Sequence, residues 1–534
     1  MMITGWEQWQ QWHSECRHTT LPLLCKQPLQ GTDGCKVASW EAGWKDAGPH
    51  SIVLESGKDG RYTYLGLRPV SVIQGKDNTA ESVDWSGSGR VEDSAKIWQG
   101  APLDVVRRWM KPYAGPSIPD GPKWTGGCAG FWSYDVARTI ERLPELASDD
   151  LGLPDYLFMR LDELWIIDRQ ERALYCAVHT GVQHDCDEAE LRRLYDQAAE
   201  RAEQMSRYWM DRFGDGSDNR SASAASGAAA RDQRQQLLSE DTLAVDVEAL
   251  QDTFSPFGKD AYENAVRRIQ QYIGAGDVFQ VNLSLRRSKQ VAVAPEELYE
   301  WLRLVNPSPY MGFMRCPEFQ LVSGSPELLV ELQDGHLATR PIAGTRRRGR
   351  TAEEDAAMES ELLTSEKERA EHIMLVDLER NDLGRISRYG SVKVEELMVI
   401  ERYSHVMHLV SQVDGELAEG KDAFDVIAAT FPGGTITGAP KIRTMEIIEE
   451  LEPTRRGPYT GSLGWIDYSG NMEFNILIRT MTVRDGVVHI QAGAGIVIDS
   501  IPEREYYESL SKAKALWKAI QLGERFVKPT HIAD

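Results

Sequence analysis

A fold built from both strands and helices, with strands in each half of the chain, is what the residues predict. Three observations carry that reading. Residues 1 to about 210 mix strand-like and helical stretches, a Ser-, Ala- and Gly-rich interval follows at 214–236, and helices then alternate with strands ending in Gly-rich turns.

Taken in order, "WEQWQQW" spaces Trp6, Trp9 and Trp12 three apart, as on one helix face, and such a stripe reads as core packing. "IVLES" and "RYTYLGLRPVSVIQG" have the composition of strands, and "ELWIIDRQERALYCAVHT" reads as a hairpin with a polar turn. "GDGSDNRSASAASGAAARDQRQQ", residues 214–236, has almost no large apolar residue and predicts a flexible linker. The resulting division is 1–213, a linker or loop over 214–245, and 246–534. Past the linker, "KDAYENAVRRIQQYIGAGDVFQVNLSLRR" gives a helix that Gly274 and Gly276 end, and then a strand.

The bulk numbers exclude several classes of function. The 534 residues carry a formal net charge of −22, which opposes binding to a phosphate backbone, so no nucleic-acid partner is expected. No stretch approaches the roughly 18 apolar residues of a membrane span. The N-terminus lacks a basic region followed by an apolar run, so no secretory signal is expected. Seven scattered cysteines without a Cys-x-x-Cys pair read as reduced thiols in a cytoplasmic protein. Against the acidic balance, "RPIAGTRRRGR" gathers Arg340, Arg346, Arg347, Arg348 and Arg350. That cluster is either a solvated loop or a local anion-handling site.

Two acidic pairs stand out in the second half. Glu368 and Glu371 sit three apart in a helical stretch, and Glu505, Glu508 and Lys512 share a face of a helix that Pro502 opens. Either pair alone reads as a solvated face; together they could converge on a hard cation such as Mg2+, which takes a few carboxylates, waters and an anionic substrate. Gly493 and Gly495 let backbone N–H groups approach an anion. "FPGGTITGAPK" looks like a phosphate cradle but lacks Walker spacing. Arg479, in "FNILIRT", is expected on an apolar strand, where a ligand carboxylate is a plausible partner.

"SGSPELLV", "RPIAGTRRRG", "EKERAEHIMLVDLERNDLGRIS", "YSHVMHLVS", "FPGGTITGAPKIRTMEIIEELEPTRRGPYTGSLGW" and "QAGAGIVIDSIPEREYYES" occur in that order. Together they resemble the chorismate-utilising enzymes, strongly over about 255–522 and more loosely through "VLESGKDGRYTYLGLRP" and "GGCAGFWSYDVAR" in the first half. The resemblance implies an α+β fold with two large, mostly antiparallel sheets packed against each other and helices outside. It makes 246–534 the chorismate-binding region, with strands contributed by both halves.

Residue by residue, the resemblance makes Glu371 and Glu508 ligands of Mg2+, with Glu368 and Glu505 beside them. It places Thr345 at the substrate, and Lys512 among the substrate-binding residues. Tyr459, Arg479 and the backbone of Gly493, Ala494 and Gly495 would hold the enolpyruvyl carboxylate. Glu327 would be the general acid that protonates the departing C4 hydroxyl, and His408 would face the ring. Gln280 stands where water-using relatives carry a lysine, which favours ammonia, delivered by a separate glutamine amidotransferase subunit. Ala343 stands where many aminodeoxychorismate-forming members carry a nucleophilic lysine, which argues for anthranilate formation. Against it, "FQVNLS", "FPGGTITGAPK" and "FNILIRT" look like aminodeoxychorismate-forming enzymes of the Bacillus type. The expected product is therefore 4-amino-4-deoxychorismate, with anthranilate and pyruvate as the alternative. Glu55, Ser56, Asn306, Pro307, Tyr310 and Met311 resemble a tryptophan pocket, which leaves a non-catalytic tryptophan-sensing subunit as a remote reading.

Overall fold

The computed structural model describes residues 1–29, 37, 39–57, 60–85, 95–213, 222–402 and 406–527. Among them are two twelve-stranded sheets. Every strand pairing is antiparallel. The first sheet joins Ser51–Glu55 to Tyr310–Arg315, then Gln320–Ser325, Thr480–Arg484, Val487–Ile496 and Gln280–Gln290. The second joins Ile342–Arg347 to Val406–Glu416, and runs through Leu328–Gln333, Met472–Asn475 and Ser462–Asp467 to Gly127–Trp132. In each sheet a block of strands from before the 214–245 interval meets a block from after it at a single seam, Ser51–Glu55 against Tyr310–Arg315 in the first and Gly127–Trp132 against Ser462–Asp467 in the second.

Strand alternation builds the layers. In Gly127–Trp132, Ala129 and Phe131 point into a core shared with the first sheet, whereas Cys128 and Trp132 point outward to helix Pro102–Met110 and helix Ala423–Thr430. Between the sheets, Trp124 stacks on Trp465 with ring centroids 5.6 Å apart, and Phe131 meets Phe319 edge-on. The outer face of the first sheet is covered by helices Glu188–Phe213, Lys259–Ala275, Pro295–Val305, Pro502–Lys512 and Lys514–Val527, through fully buried Trp301, Trp517 and Tyr262. The fold is the two-sheet α+β arrangement that the motifs imply.

Local expectations hold in several places. Trp9 and Trp12 are buried, and Trp6 and Trp9 meet the edge of Tyr195 at 5.7 and 5.3 Å. Glu163–Asp168 and Ala173–Gly181 form the hairpin. Helix Lys259–Ala275 ends on Gly276, whose φ of +83° is the left-handed conformation that glycine adopts without strain. The six described cysteines are free, and Cys35 lies outside the described residues. No helix among the described residues is long and apolar enough to cross a membrane.

The interval expected as a flexible linker needs correction. Residues 214–221 lie outside the described residues, but Ala222–Ser239 is a helix. Alanine has the highest helix propensity, and the polar composition hid it. One buried side chain then anchors the helix. Arg234, 2% exposed, pairs with Glu297 at 2.5 Å on helix Pro295–Val305 and lies 4.9 Å over the Phe526 ring. Arg234→Ala would strand Glu297 in a mostly buried position. We expect a loss of about 3 kcal/mol, read as a lower thermal unfolding midpoint. An untethered linker would leave the midpoint where it is.

Candidate active site

The chain passes from the first sheet to the second between Ser325 and Leu328, and returns between Asn475 and Thr480. Backbone groups in such crossings have left their ladders and must find other partners. The two crossings pair with each other. The Ile476 N–H donates to Glu327 O at 3.0 Å, the Gly324 N–H to Arg479 O at 3.0 Å, and the Ser325 hydroxyl to Ile476 O at 2.5 Å. Glu327 sits on the outgoing crossing and Arg479 on the return. Arg479 is therefore not on a strand, as its apolar neighbours led us to expect. It precedes Thr480–Arg484 with φ +49°, a left-handed conformation that costs a non-glycine residue about 1–3 kcal/mol.

Glu327 is 7% exposed. Burial pushes its carboxyl up to about 7, against the opposing pull of the Thr435 hydroxyl, Arg479 and Lys512. Such a group holds its proton near neutrality and can give it to a leaving oxygen. A second buried carboxyl, Glu379 on helix Glu366–Gly384, is raised to about 8 by its own burial, then by Asp382 and more weakly by Glu327, with Lys441 opposing. It accepts a hydrogen bond from the Thr339 hydroxyl at 3.1 Å.

A glycine ledge faces these groups. On Val487–Ile496, Val488, Ile490, Ala494 and Ile496 pack toward the helices, so Gly493 and Gly495 face the other way. A Cβ on Gly495 would lie 2.2 Å from Gln280 Nε2, so glycine is required for Gln280 to sit there. Gln280 Nε2 donates to Glu371 Oε1 at 3.2 Å. Lys512 Nζ donates to Gly493 O at 3.0 Å and pairs with Glu508 at 3.1 Å. Glu371 and Glu508 thus reach the same glycine segment, one through Gln280 and the other through Lys512, with Glu505 one turn before Glu508. Glu368 is engaged differently. It pairs with Arg346 at 2.9 Å, below Gly344, where a Cβ would meet its carboxylate.

Thr345 and His408 lie opposite each other on paired strands, with the Thr345 hydroxyl 2.9 Å from His408 Nδ1. Ala343 is buried on the same strand, opposite Leu409. Three more arginines of the cluster pair with acids, and the Arg350 backbone N–H donates to Glu354 at 2.7 Å. Arg340 meets Glu401 and Glu396, Arg347 meets Glu354, and Arg348 meets Asp355. Tyr459 follows a buried pair: Arg456 bonds Glu452 at 2.7 Å, the Asn282 carbonyl at 2.7 Å and the Ile436 carbonyl at 3.0 Å, with the Tyr459 ring 5.6 Å away. Sequence reasoning did not single out Arg456, Glu452, Thr435, Glu379 or Asn282. For Asn282 the signal was available, because a residue two beyond Gln280 on a strand shares its face.

A separate cavity of about 870 Å3 opens between the sheets, with Glu55, Ser56, Tyr310 and Met311 in its lining; Asn306 and Pro307 are not lining residues. The Glu55 carboxylate accepts from Arg303 at 2.8 and 2.9 Å, Tyr299 at 3.2 Å and Trp40 at 3.3 Å. Asn306 donates to the Ser308 hydroxyl at 3.2 Å.

Residues 50–518 match the family of chorismate binding enzymes, and the chain belongs to that family. Among individual relatives, the aminodeoxychorismate synthase component 1 of Bacillus subtilis is 46% identical over 90% of this chain and 93% of its own length. The anthranilate synthase component 1 of Thermus thermophilus is 47% identical over 89% of this chain and 93% of its own. The solved anthranilate synthase component I of Streptococcus pneumoniae superposes with a TM-score of 0.67 at 32% identity, covering 86% of this chain and 92% of its own.

The burial of Glu327 carries a stability signature. Its pKa is raised from 4.5 to about 7, so the folded chain keeps a proton that the unfolded chain loses. Stability contributed below pH 4.5 is lost as pH rises to about 7. Glu327→Gln removes that loss, so its stability relative to the parent should rise by about 2.5 kcal/mol between pH 5 and pH 8. Parallel denaturation curves at the two pH values check it; equal differences would mean an ordinary carboxyl.

Proposed function

We propose that this protein aminates chorismate to 4-amino-4-deoxychorismate, with ammonia supplied by a separate glutamine amidotransferase subunit. The observation that carries the reading is Glu327, a buried carboxyl raised to about 7 at the two sheet crossings beside Arg479. Chorismate can lose its C4 hydroxyl only if that oxygen receives a proton, and Glu327 is protonated near neutrality to give it. Arg479 and the Gly493–Gly495 backbone supply the positive groups for the enolpyruvyl carboxylate, with Tyr459 alongside. Thr345, held by His408, faces the ring. Gln280 has no basic atom to activate water, which favours ammonia as nucleophile.

Glu371 and Glu508 suit Mg2+ at the ring carboxylate, with Glu505 as support. Among the described residues no three His, Cys, Asp or Glu side chains form a metal cage. The donor set instead matches a cation that completes its shell with substrate and water. When bound, the ion would neutralise the ring carboxylate.

Ala343 offers no nucleophile for C2, so ammonia or water adds there before nitrogen enters at C4. That same feature favours a second reading, loss of pyruvate to give anthranilate, which the Thermus relative's 47% identity also supports. A tryptophan-sensing role is less favoured, because a ligand ammonium at Glu55 would compete with Arg303.

Chromatography of products from chorismate, ammonium and Mg2+, with mass spectrometry of the protein during turnover, is the deciding experiment. We expect aminodeoxychorismate as the main product and no covalent adduct. Anthranilate as sole product would establish the second reading, and a ring adduct on any lysine would refute direct addition of ammonia or water at C2. For the metal, we expect chelation to abolish chorismate consumption, Mg2+ to restore it, and Glu508→Ala to abolish it with the fold intact. Near-normal Glu508→Ala turnover at ordinary Mg2+ would remove that assignment.

A further inference from the structure

Two side chains two apart on the Gln280–Gln290 strand carry buried oxygens with no hydrogen-bond partner among the described residues, Gln280 Oε1 and Asn282 Oδ1. Their orientation is fixed by what their amino groups touch. Gln280 Nε2 donates to the Glu371 carboxylate at 3.2 Å, and Asn282 Nδ2 donates to the Thr435 carbonyl at 3.3 Å. A carboxylate and a carbonyl only accept, so neither amide can be turned over, and both leftover atoms are acceptors.

Both lie on one face of the strand, opposite Val281, Leu283 and Leu285, which pack toward the helices. Both lie over the glycine ledge. A Cβ on Gly495 would meet Gln280, and a Cβ on Gly493 would come within 2.8 Å of Asn282 Oδ1. Asn282 bonds the backbone of Thr435, the residue whose side chain acts on the Glu327 carboxyl.

Buried acceptors left without donors are costly, so a strand face that keeps two of them over one glycine ledge suits a ligand rich in donors. The carboxylates of chorismate are themselves acceptors and cannot serve, and its one donor, the C4 hydroxyl, is assigned to Glu327 above. Ammonia brings three N–H bonds and one lone pair.

We propose that Gln280 Oε1 and Asn282 Oδ1 together hold the incoming ammonia, and that Asn282 is a binding residue for the nitrogen nucleophile. The assignment rests on the amination reading above. Two N–H bonds point to the two oxygens, which leaves the lone pair free for the ring. In the first step that lone pair forms the new C–N bond as the ring double bond shifts and the C4–O bond breaks. The proton of Glu327 leaves with the hydroxyl as water. The new nitrogen keeps its three protons as an ammonium, and Glu327 is left as a carboxylate.

Asn282→Val and Asn282→Ala test this, with turnover followed against ammonium chloride at fixed pH and saturating chorismate, and chorismate affinity measured by calorimetry. We expect the KM for ammonium to rise about tenfold or more, the loss of one good hydrogen bond to a nucleophile, with chorismate affinity within about twofold of the parent. An unchanged ammonium KM in both variants overturns the proposal. So does a parallel loss of chorismate affinity, or loss of the folded state in both variants, since either makes Asn282 structural. A parent protein that consumes no chorismate with ammonium is a different result: it removes the amination reading itself.

Discussion

A carboxyl group that must hold its proton near neutrality has to be kept from water, and most of the site follows from that constraint on Glu327. Burial raises the group, while Arg479, Thr435 and Lys512 pull it back, so its position near 7 is a balance. That balance needs a place where side chains are enclosed yet charged groups can approach. The two crossings between the sheets provide it, because the chain there has left both ladders and its backbone groups satisfy one another. The left-handed backbone at Arg479 is strain accepted at the same place, and it is held by the Gly324–Arg479 hydrogen bond.

The arginine-rich turn shows how an acidic protein organises local positive charge. Arg346 neutralises Glu368 and also pairs with Glu361 at 3.0 Å, while Arg347 and Arg348 pair with the first turn of helix Ala352–Thr364. Of the two glutamates three apart on one helix, Glu368 is thereby tied to an arginine and Glu371 is turned toward Gln280. The cluster sorts two chemically identical carboxylates into different environments. It does so by ion pairing within the protein and not by presenting charge to an outside anion.

What was legible in the sequence was what local rules decide. Helix Lys259–Ala275 with its glycine stop, the hairpin 163–181 and the Pro502 helix start are short-range features that periodicity and capping expose. Helix Ala222–Ser239 escaped because its stabilising partner, Glu297, is distant in sequence and because small polar residues resemble a linker. Arg479 escaped because the sign of φ leaves no trace in an apolar run. The pairing of Arg456 with Glu452 was open to inspection as a spacing of four, yet nothing in one sequence says that such a pair is buried instead of solvated. Asn282 lay within reach of strand parity, but an oxygen without a partner becomes visible only when its neighbours are placed.

Each sheet joins a block of early strands to a block of late ones along a single seam, and that has a consequence for how the chain is made. Ser51–Glu55 pairs with Tyr310–Arg315, and Gly127–Trp132 with Ser462–Asp467. A nascent chain therefore displays hydrophobic strand edges long before their neighbours have been synthesised, and neither sheet can close until nearly the last strand emerges. Pairings so distant in sequence carry a large loop-closure cost that must be met before they reward the fold. The first two hundred residues form a contiguous block of each sheet and leave one edge of each, Ser51–Glu55 and Gly127–Trp132, without its partner. A gene cut at the 214–245 interval would yield two halves that each lack the strands completing their own sheets.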